Sequence, residues 1–294
     1  MKWRIWLALF SIYIIWGSTY LAIQFAIESM PPFLMASLRF LIAGGILYIW
    51  RILAGDTPPQ AIHWRSTIVI GLFLLMGGNG GVVWAEQRVP SGIASVLIGA
   101  TPLWMVLLDA IRPGGTRPET KTMLGTLLGF SGIIFLIGPF EEQSMQGSID
   151  LIGAMVLLLA AMLWATGSIY GRQAQLPASP LLTTGMEMLA GGVGLFVLGT
   201  VSGEWNRLDI QAIQTSSILG FLYLIFFGSL VAYSAYSWLL RVAPIPLIAT
   251  YAYVNPLVAI FLGVVIANEP FTIRTLLSTF IIVGAVALIN TTRK

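Results

Sequence analysis

Cysteine is missing from all 294 residues, histidine occurs once, and charged residues make up only 9% of the chain. The first absence removes any disulfide framework and any thiolate metal site, and it leaves the redox compartment unreadable. The second removes the usual imidazole ligands and bases: His63 has no ligand-rich neighbours and reads as a solvated loop side chain. The third excludes an ordinary soluble domain, in which roughly 25% of residues carry charge. A soluble globule of this length could not hide an apolar share of 57%. No G-x-x-x-x-G-K-[ST] loop occurs, so ATP is not the direct driver within this chain. The formal charge of +3 comes from basic residues scattered singly through short connections, with no patch or arm for nucleic acid.

What is present is a succession of apolar runs. A hydrocarbon core takes about 20 residues per helix, so ten spans fill roughly 200 positions and leave no room for a separate soluble domain. Breaks at proline, glycine and charge put the spans near 5–27, 32–51, 67–86, 91–111, 121–138, 150–171, 179–201, 214–240, 245–267 and 272–290. The opening Lys2, Trp3, Arg4 looks like the start of a signal peptide, but the run 5–27 is too long for one and is read as a retained first helix. With the N-terminus in the cytoplasm, eleven of the fifteen basic residues fall on the inner side. Arg88, Arg207 and Arg274 fall outside, and Arg39 lies within a span. The positive-inside rule then puts both termini, and the 111–121 loop, in the cytoplasm.

The two halves repeat. Trp16, Pro32 and Arg39 recur as Trp164, Pro180 and Glu187 at an offset of 148, with Gly44 matched by Gly192. Trp84, Pro102 and Leu103 recur as Trp238, Pro256 and Leu257 at an offset of 154, and Gly132 to Ile137 resembles Gly284 to Ile289 at an offset of 152. Ordered blocks at nearly constant offset indicate a duplication, with residues 1–145 and 146–294 as the two units. Each unit has five helices, an odd number, so the second enters the membrane from the opposite side. The expected fold is an all-α integral membrane protein of ten helices in two inverted repeats, N-in and C-in. Such repeats are frequent in secondary transporters, which hold their site near the midplane between the halves.

Several local motifs carry a family resemblance over essentially the whole chain. They are Trp16, Gly17, Ser18, Thr19, Tyr20; Arg39, Phe40; Pro90, Ser91, Gly92, Ile93, Ala94; Tyr251, Ala252, Tyr253, Val254, Asn255, Pro256; and Glu269, Pro270. As an ordered set they resemble the EamA branch of the drug/metabolite transporter superfamily. The resemblance implies a five-plus-five inverted-repeat fold with a central cavity, usually exporting amino acids, other metabolites or toxic compounds.

Arg39 and Glu187 are the conspicuous ionisable residues within spans, where charge facing lipid is costly and a functional role is the default hypothesis. At a rise of ~1.5 Å per residue each sits roughly 10 Å deep from opposite faces, near the limit of their combined reach, so a direct ion pair is left open. The plainer account of each is helix packing or snorkelling. Gly77, Gly78, Asn79, Gly80, Gly81 in the third span allow either close small-residue packing or a locally opened helix that turns Asn79 to the cavity. Pro102 and Pro256 each remove a hydrogen bond from a span, giving a symmetry-related pair of kinks that serve as gates or merely shape the bundle. Asn255 is a buried amide in need of partners. Trp16, Tyr20, Trp164 and Tyr251 are candidates to line the cavity, Trp16 and Trp164 lying too near mid-span to be interface anchors.

The expected substrate contacts are therefore Trp16, Tyr20, Asn79, Trp164, Tyr251 and Asn255, with Arg39, Glu187, Pro102 and Pro256 for coupling or gating. No cofactor or metal is called for. The expected partners are a small-molecule substrate and membrane lipids, with a homodimer left open. The expected activity is secondary export across the inner membrane, with Glu187 as a proton-coupling candidate. A channel or lipid-handling protein is the alternative. A membrane-embedded enzyme fits less well, because the acids form no paired-carboxylate or metal set.

Overall fold

The computed structural model describes residues 2–112, 115, 118–137, 149–248 and 250–292. Arg117, the boundary at 145 and the two C-terminal cations lie outside these residues. The described chain is helical and carries no strand. That follows from the apolar runs: in hydrocarbon every backbone N–H and C=O must be satisfied within its own segment.

Among the described residues, eight helices are long and apolar enough to cross a membrane: α1 (Lys2–Ile27), α2 (Pro32–Leu53), α3 (Ala61–Ala85), α4 (Ser91–Ile111), α5 (Thr120–Ile137), α6 (Leu151–Gly171), α7 (Pro180–Val201) and α8 (Thr215–Val242). Two more, α9 (Tyr251–Ala267) and α10 (Ile273–Thr292), hold shorter apolar stretches. The expected third span starts too late. α3 begins at Ala61 because Gln60 and His63 form a capping box, with the Gln60 N–H donating to His63 Nδ1 at 3.2 Å. His63 is thus a helix-capping residue rather than a free loop side chain. The expected ninth span is also too long, since a single turn, Ile245–Ile248, is separated from α9.

Contacts between the halves recur with the halves exchanged. α1 packs on α8 and α9, while α6 packs on α3 and α4; α2 meets α8 as α7 meets α3. α2 runs along α7 and α5 along α10. The α2–α7 crossing is very close: a Cβ on Gly44 would stand 2.8 Å from Met188 Cβ and 2.9 Å from the Gly185 carbonyl. Such approach lets van der Waals contact replace the hydrophobic drive that lipid cannot supply.

Three interruptions shape the interior. α3 winds as wide π-type turns over Leu72–Asn79, and α8 does so over Leu224–Tyr233. α4 is broken into Ser91–Ile98 and Thr101–Ile111. Pro102 takes the second position of the latter, where its missing N–H costs little. The Ile98 carbonyl accepts a 2.7 Å hydrogen bond from the Thr101 hydroxyl instead. Pro256 remains inside α9. The expected pair of equivalent interior kinks is therefore corrected to one helix break and one internal proline.

The loops tie the two ends of the bundle differently. At the end where the chain starts, here the proximal end, Asp56 pairs with Arg51 at 2.6 Å and is hydrogen-bonded to Ser179, the N-cap of α7. Arg241 donates to the Pro177 and Ala178 carbonyls, and Arg172 to Ala243 O. At the distal end two carboxylates cap helices across the halves. Glu204 accepts from Phe33 N and Leu34 N at the start of α2, at 3.1 and 2.8 Å. Glu269 accepts from Ser91 N and Gly92 N at the start of α4, at 2.7 and 3.0 Å. Each carboxylate satisfies orphan donors and complements the helix dipole.

Candidate functional site

Two neighbouring cavities are each lined by residues of both halves. The first, a vestibule of about 500 Å³ at the proximal end, is lined by Arg172, Glu187, Tyr233, Tyr236, Ser237 and Arg241 among others. The second is a tighter central chamber of about 70 Å³. Tyr233 lines both and stands between them.

The central chamber gathers side chains from distant segments. Trp16 and Tyr20 enter from α1, Arg39 and Phe40 from α2, Asn79 from α3, Trp164 from α6, and Tyr251 and Asn255 from α9. All six residues expected to contact substrate, together with Arg39, therefore meet in one place. Glu187 lines the vestibule instead, and Pro102 and Pro256 line neither cavity.

Aromatic rings build the chamber's proximal wall. The Trp16 ring lies 5.5 Å from Trp164 and 5.6 Å from Tyr251, both near 88°, and 5.0 Å from Tyr236. These edge-to-face and tilted contacts are the arrangements that ring quadrupoles favour. The polar tips are also held: Trp164 Nε1 donates to the Tyr236 hydroxyl at 3.2 Å, and that hydroxyl shares a 2.8 Å bond with Ser168. Trp16 Nε1 reaches the Gly228 carbonyl at 3.4 Å, in the wide turns of α8.

The polar groups divide by half. Glu187 is buried and accepts a 2.9 Å hydrogen bond from the Tyr233 hydroxyl. Arg39 is buried beneath the same segment of α8: its Nε donates to Ser229 Oγ at 2.8 Å, and its guanidinium lies 4.6 Å from the Phe40 ring centroid. A Cβ at position 228 would stand 2.9 Å from Arg39 Nη2, which accounts for Gly228. Arg39 Nη1 and Asn79 Oδ1 have no hydrogen-bond partner. No ion pair joins Arg39 to Glu187 among the described residues. Asn255, its amide oriented by its partners, donates to the carbonyls of Tyr251 and Tyr13 at 3.2 Å and so pins α9 to α1.

Gly77, Gly78 and Gly81 pack against Leu163, Trp164 and Ala160 of α6, while Asn79 ends the wide turns and faces the chamber. The two readings of this stretch thus hold together. Sequence reasoning missed Tyr233, Tyr236 and Ser229. Tyr233 was accessible, since it stands 154 residues after Asn79, the same offset that relates Trp84 to Trp238.

A bundle of apolar helices with a vestibule leading to an aromatic chamber defines a polytopic membrane protein that handles small solutes. The chain belongs to the EamA-like transporter family, whose profile matches it twice, at residues 2–138 and 151–291. It is a membrane transporter by that membership, and not an enzyme. It is 38% identical over 287 residues to the uncharacterized inner membrane transporter YedA of Escherichia coli K12, covering 96% of this chain and 89% of that one. It is 26% identical over 293 residues to a chloroplastic WAT1-related protein of Arabidopsis thaliana, covering 97% and 69% respectively. A solved crystal structure matches with a TM-score of 0.68 at 19% identity, covering 100% of both chains, which shows the fold.

Proposed function

We propose that the chain is a secondary transporter of the inner membrane that exports a small molecule by alternating access, coupled to protons through Glu187. In this reading it comprises two inverted five-helix repeats, residues 1–145 and 146–294, with both termini cytoplasmic. The exchange of contacts between halves and the double family match support the duplication. The asymmetry of basic residues supports the orientation, and the name of the Escherichia coli relative supports the location.

The observation that carries the proposal is the graded pair of cavities, wide at the proximal end and tight behind Tyr233, with the distal end tied by Glu204 and Glu269. Such a molecule is open toward one face, and the charge distribution supports reading that face as the cytoplasmic one. Rocking one half against the other opens the opposite face around the same chamber. Glu187 supports coupling because it is a carboxyl within a span that also faces an accessible vestibule.

Counterflow in vesicles of known sidedness tests the whole reading. Saturable exchange, with accumulation in inverted vesicles under an acid-inside gradient, is the expected result. Unsaturable flux would leave a channel, and accumulation only in right-side-out vesicles would reverse the direction.

A further inference from the structure

Resting on that transport reading, we propose that the central chamber selects an aromatic acid. The ligand is a monoanion with a flat apolar body and one neutral N–H or O–H donor, rather than a zwitterion or a cation.

Arg39 leads to this. It is 3% exposed, its Nη1 has no partner, and among the described residues no carboxylate pairs with it. None of the chamber's lining residues is acidic. A guanidinium stays protonated in proteins, so the chamber holds a buried positive charge without its counter-charge. The ligand must bring one, and a carboxylate matches the guanidinium fork.

Asn79 sets the second requirement. Its Oδ1 is likewise unpartnered and can only accept. A single neutral donor satisfies it. An ammonium would bring three donors and a second positive charge beside Arg39, and neither nearby carboxylate lines the chamber: Glu187 lies in the vestibule bound to Tyr233, and the buried Glu86 stands behind Tyr20. The wall of Trp16, Trp164 and Tyr251 offers ring faces and edges to a flat body. The entry path agrees, because Arg172 and Arg241 outnumber Glu187 in the vestibule and favour the arrival of anions.

Three compounds with one phenol ring separate the classes: 4-hydroxyphenylacetate is an anion, tyrosine a zwitterion and tyramine a cation. Calorimetry on the full chain in nanodiscs at neutral pH should find the acid bound at least ~10-fold more tightly than either other compound. Arg39→Gln should weaken the acid by at least ~10-fold, with Arg39→Lys in between. Asn79→Ala should weaken 4-hydroxyphenylacetate but leave phenylacetate, which lacks the donor, unchanged. Each variant's thermal unfolding transition confirms that it is folded. Tyrosine or tyramine binding as tightly as the acid, no binding of any of the three, or full affinity in folded Arg39→Gln would overturn the inference. Counterflow of tyrosine or tyramine without binding of the acid would overturn it and leave the transport reading intact. Binding of the acid without counterflow would do the reverse.

Discussion

Arg39 and Glu187 occupy the same place in the two halves, and so do Asn79 and Tyr233, yet the two pairs are in opposite conditions. In the second half the acid and the phenol are joined, at the boundary of a wide cavity. In the first half the cation and the amide both line the small chamber, and each retains a buried, unpartnered atom. The scaffold is repeated while the chemistry placed on it is not. Under the proposed function, that difference separates two tasks that a symmetric pair of side chains could not: one half would hold a titratable group beside the vestibule, and the other a fixed charge beside the chamber. The prolines differ in the same way, since α4 is broken just before Pro102 while Pro256 stays within α9.

The strongest way to break this comparison is Glu187→Gln. The amide oxygen can still accept from Tyr233, so the contact survives while titration is lost. Uphill accumulation driven by a pH gradient should vanish, with substrate exchange retained within about twofold, because the conformational change itself is preserved. Persistent accumulation in the Gln variant would move coupling elsewhere, with Glu86 the next to test, since it is buried and neither carboxylate oxygen has a partner.

The proline comparison should give a middling effect. Pro256→Ala restores an interior hydrogen bond in α9 and should slow turnover by roughly tenfold while changing substrate affinity by less than about twofold. Pro102→Ala should change turnover by less than about twofold, because its N–H at the start of a helix segment has no obligatory partner. Equal turnover defects in the two variants would restore the symmetric view of the pair.

The smallest effect concerns the loop carboxylates. Arg51 and Ser179 hold the half-buried Asp56 carboxyl down at about 2 through hydrogen bonds. A group whose folded value is depressed adds stability that is present above the ordinary carboxylate range and lost as pH falls toward that value. Asp56→Asn should therefore lower the thermal midpoint by about a degree at neutral pH, as expected of a surface ion pair. The difference from wild type should close between about pH 4 and pH 2. Glu204→Gln, at the corresponding distal loop, should cost more because Glu204 is buried and caps two backbone donors. A larger loss for the Asp56 variant would contradict that ranking.

The chamber was legible in the sequence for a physical reason. Trp16, Arg39, Asn79, Trp164 and Asn255 are out of place in hydrocarbon, so each must turn inward, and inward-turning residues of a helix bundle converge. Tyr233 escaped because a tyrosine toward the end of a span reads as an interface anchor, and because its counterpart Asn79 differs from it in kind. The break in α4 escaped because the Thr101 hydroxyl takes over a carbonyl that a proline would otherwise strand. His63 escaped because a capping box depends on where the backbone turns. Glu204 and Glu269 act on helix starts 171 and 177 residues away, and no local pattern announces such partners.

The wide turns of α3 and α8 carry a mechanical consequence. A π-type segment accommodates a surplus residue without leaving the helix, and closing it back to the tighter winding would rotate everything beyond it by about 100°. Asn79 and Tyr233 sit at the far edge of these segments. Each half thus carries a slack loop of backbone that, taken up or let out, can turn one polar side chain toward or away from the chamber while both ends of its helix stay anchored.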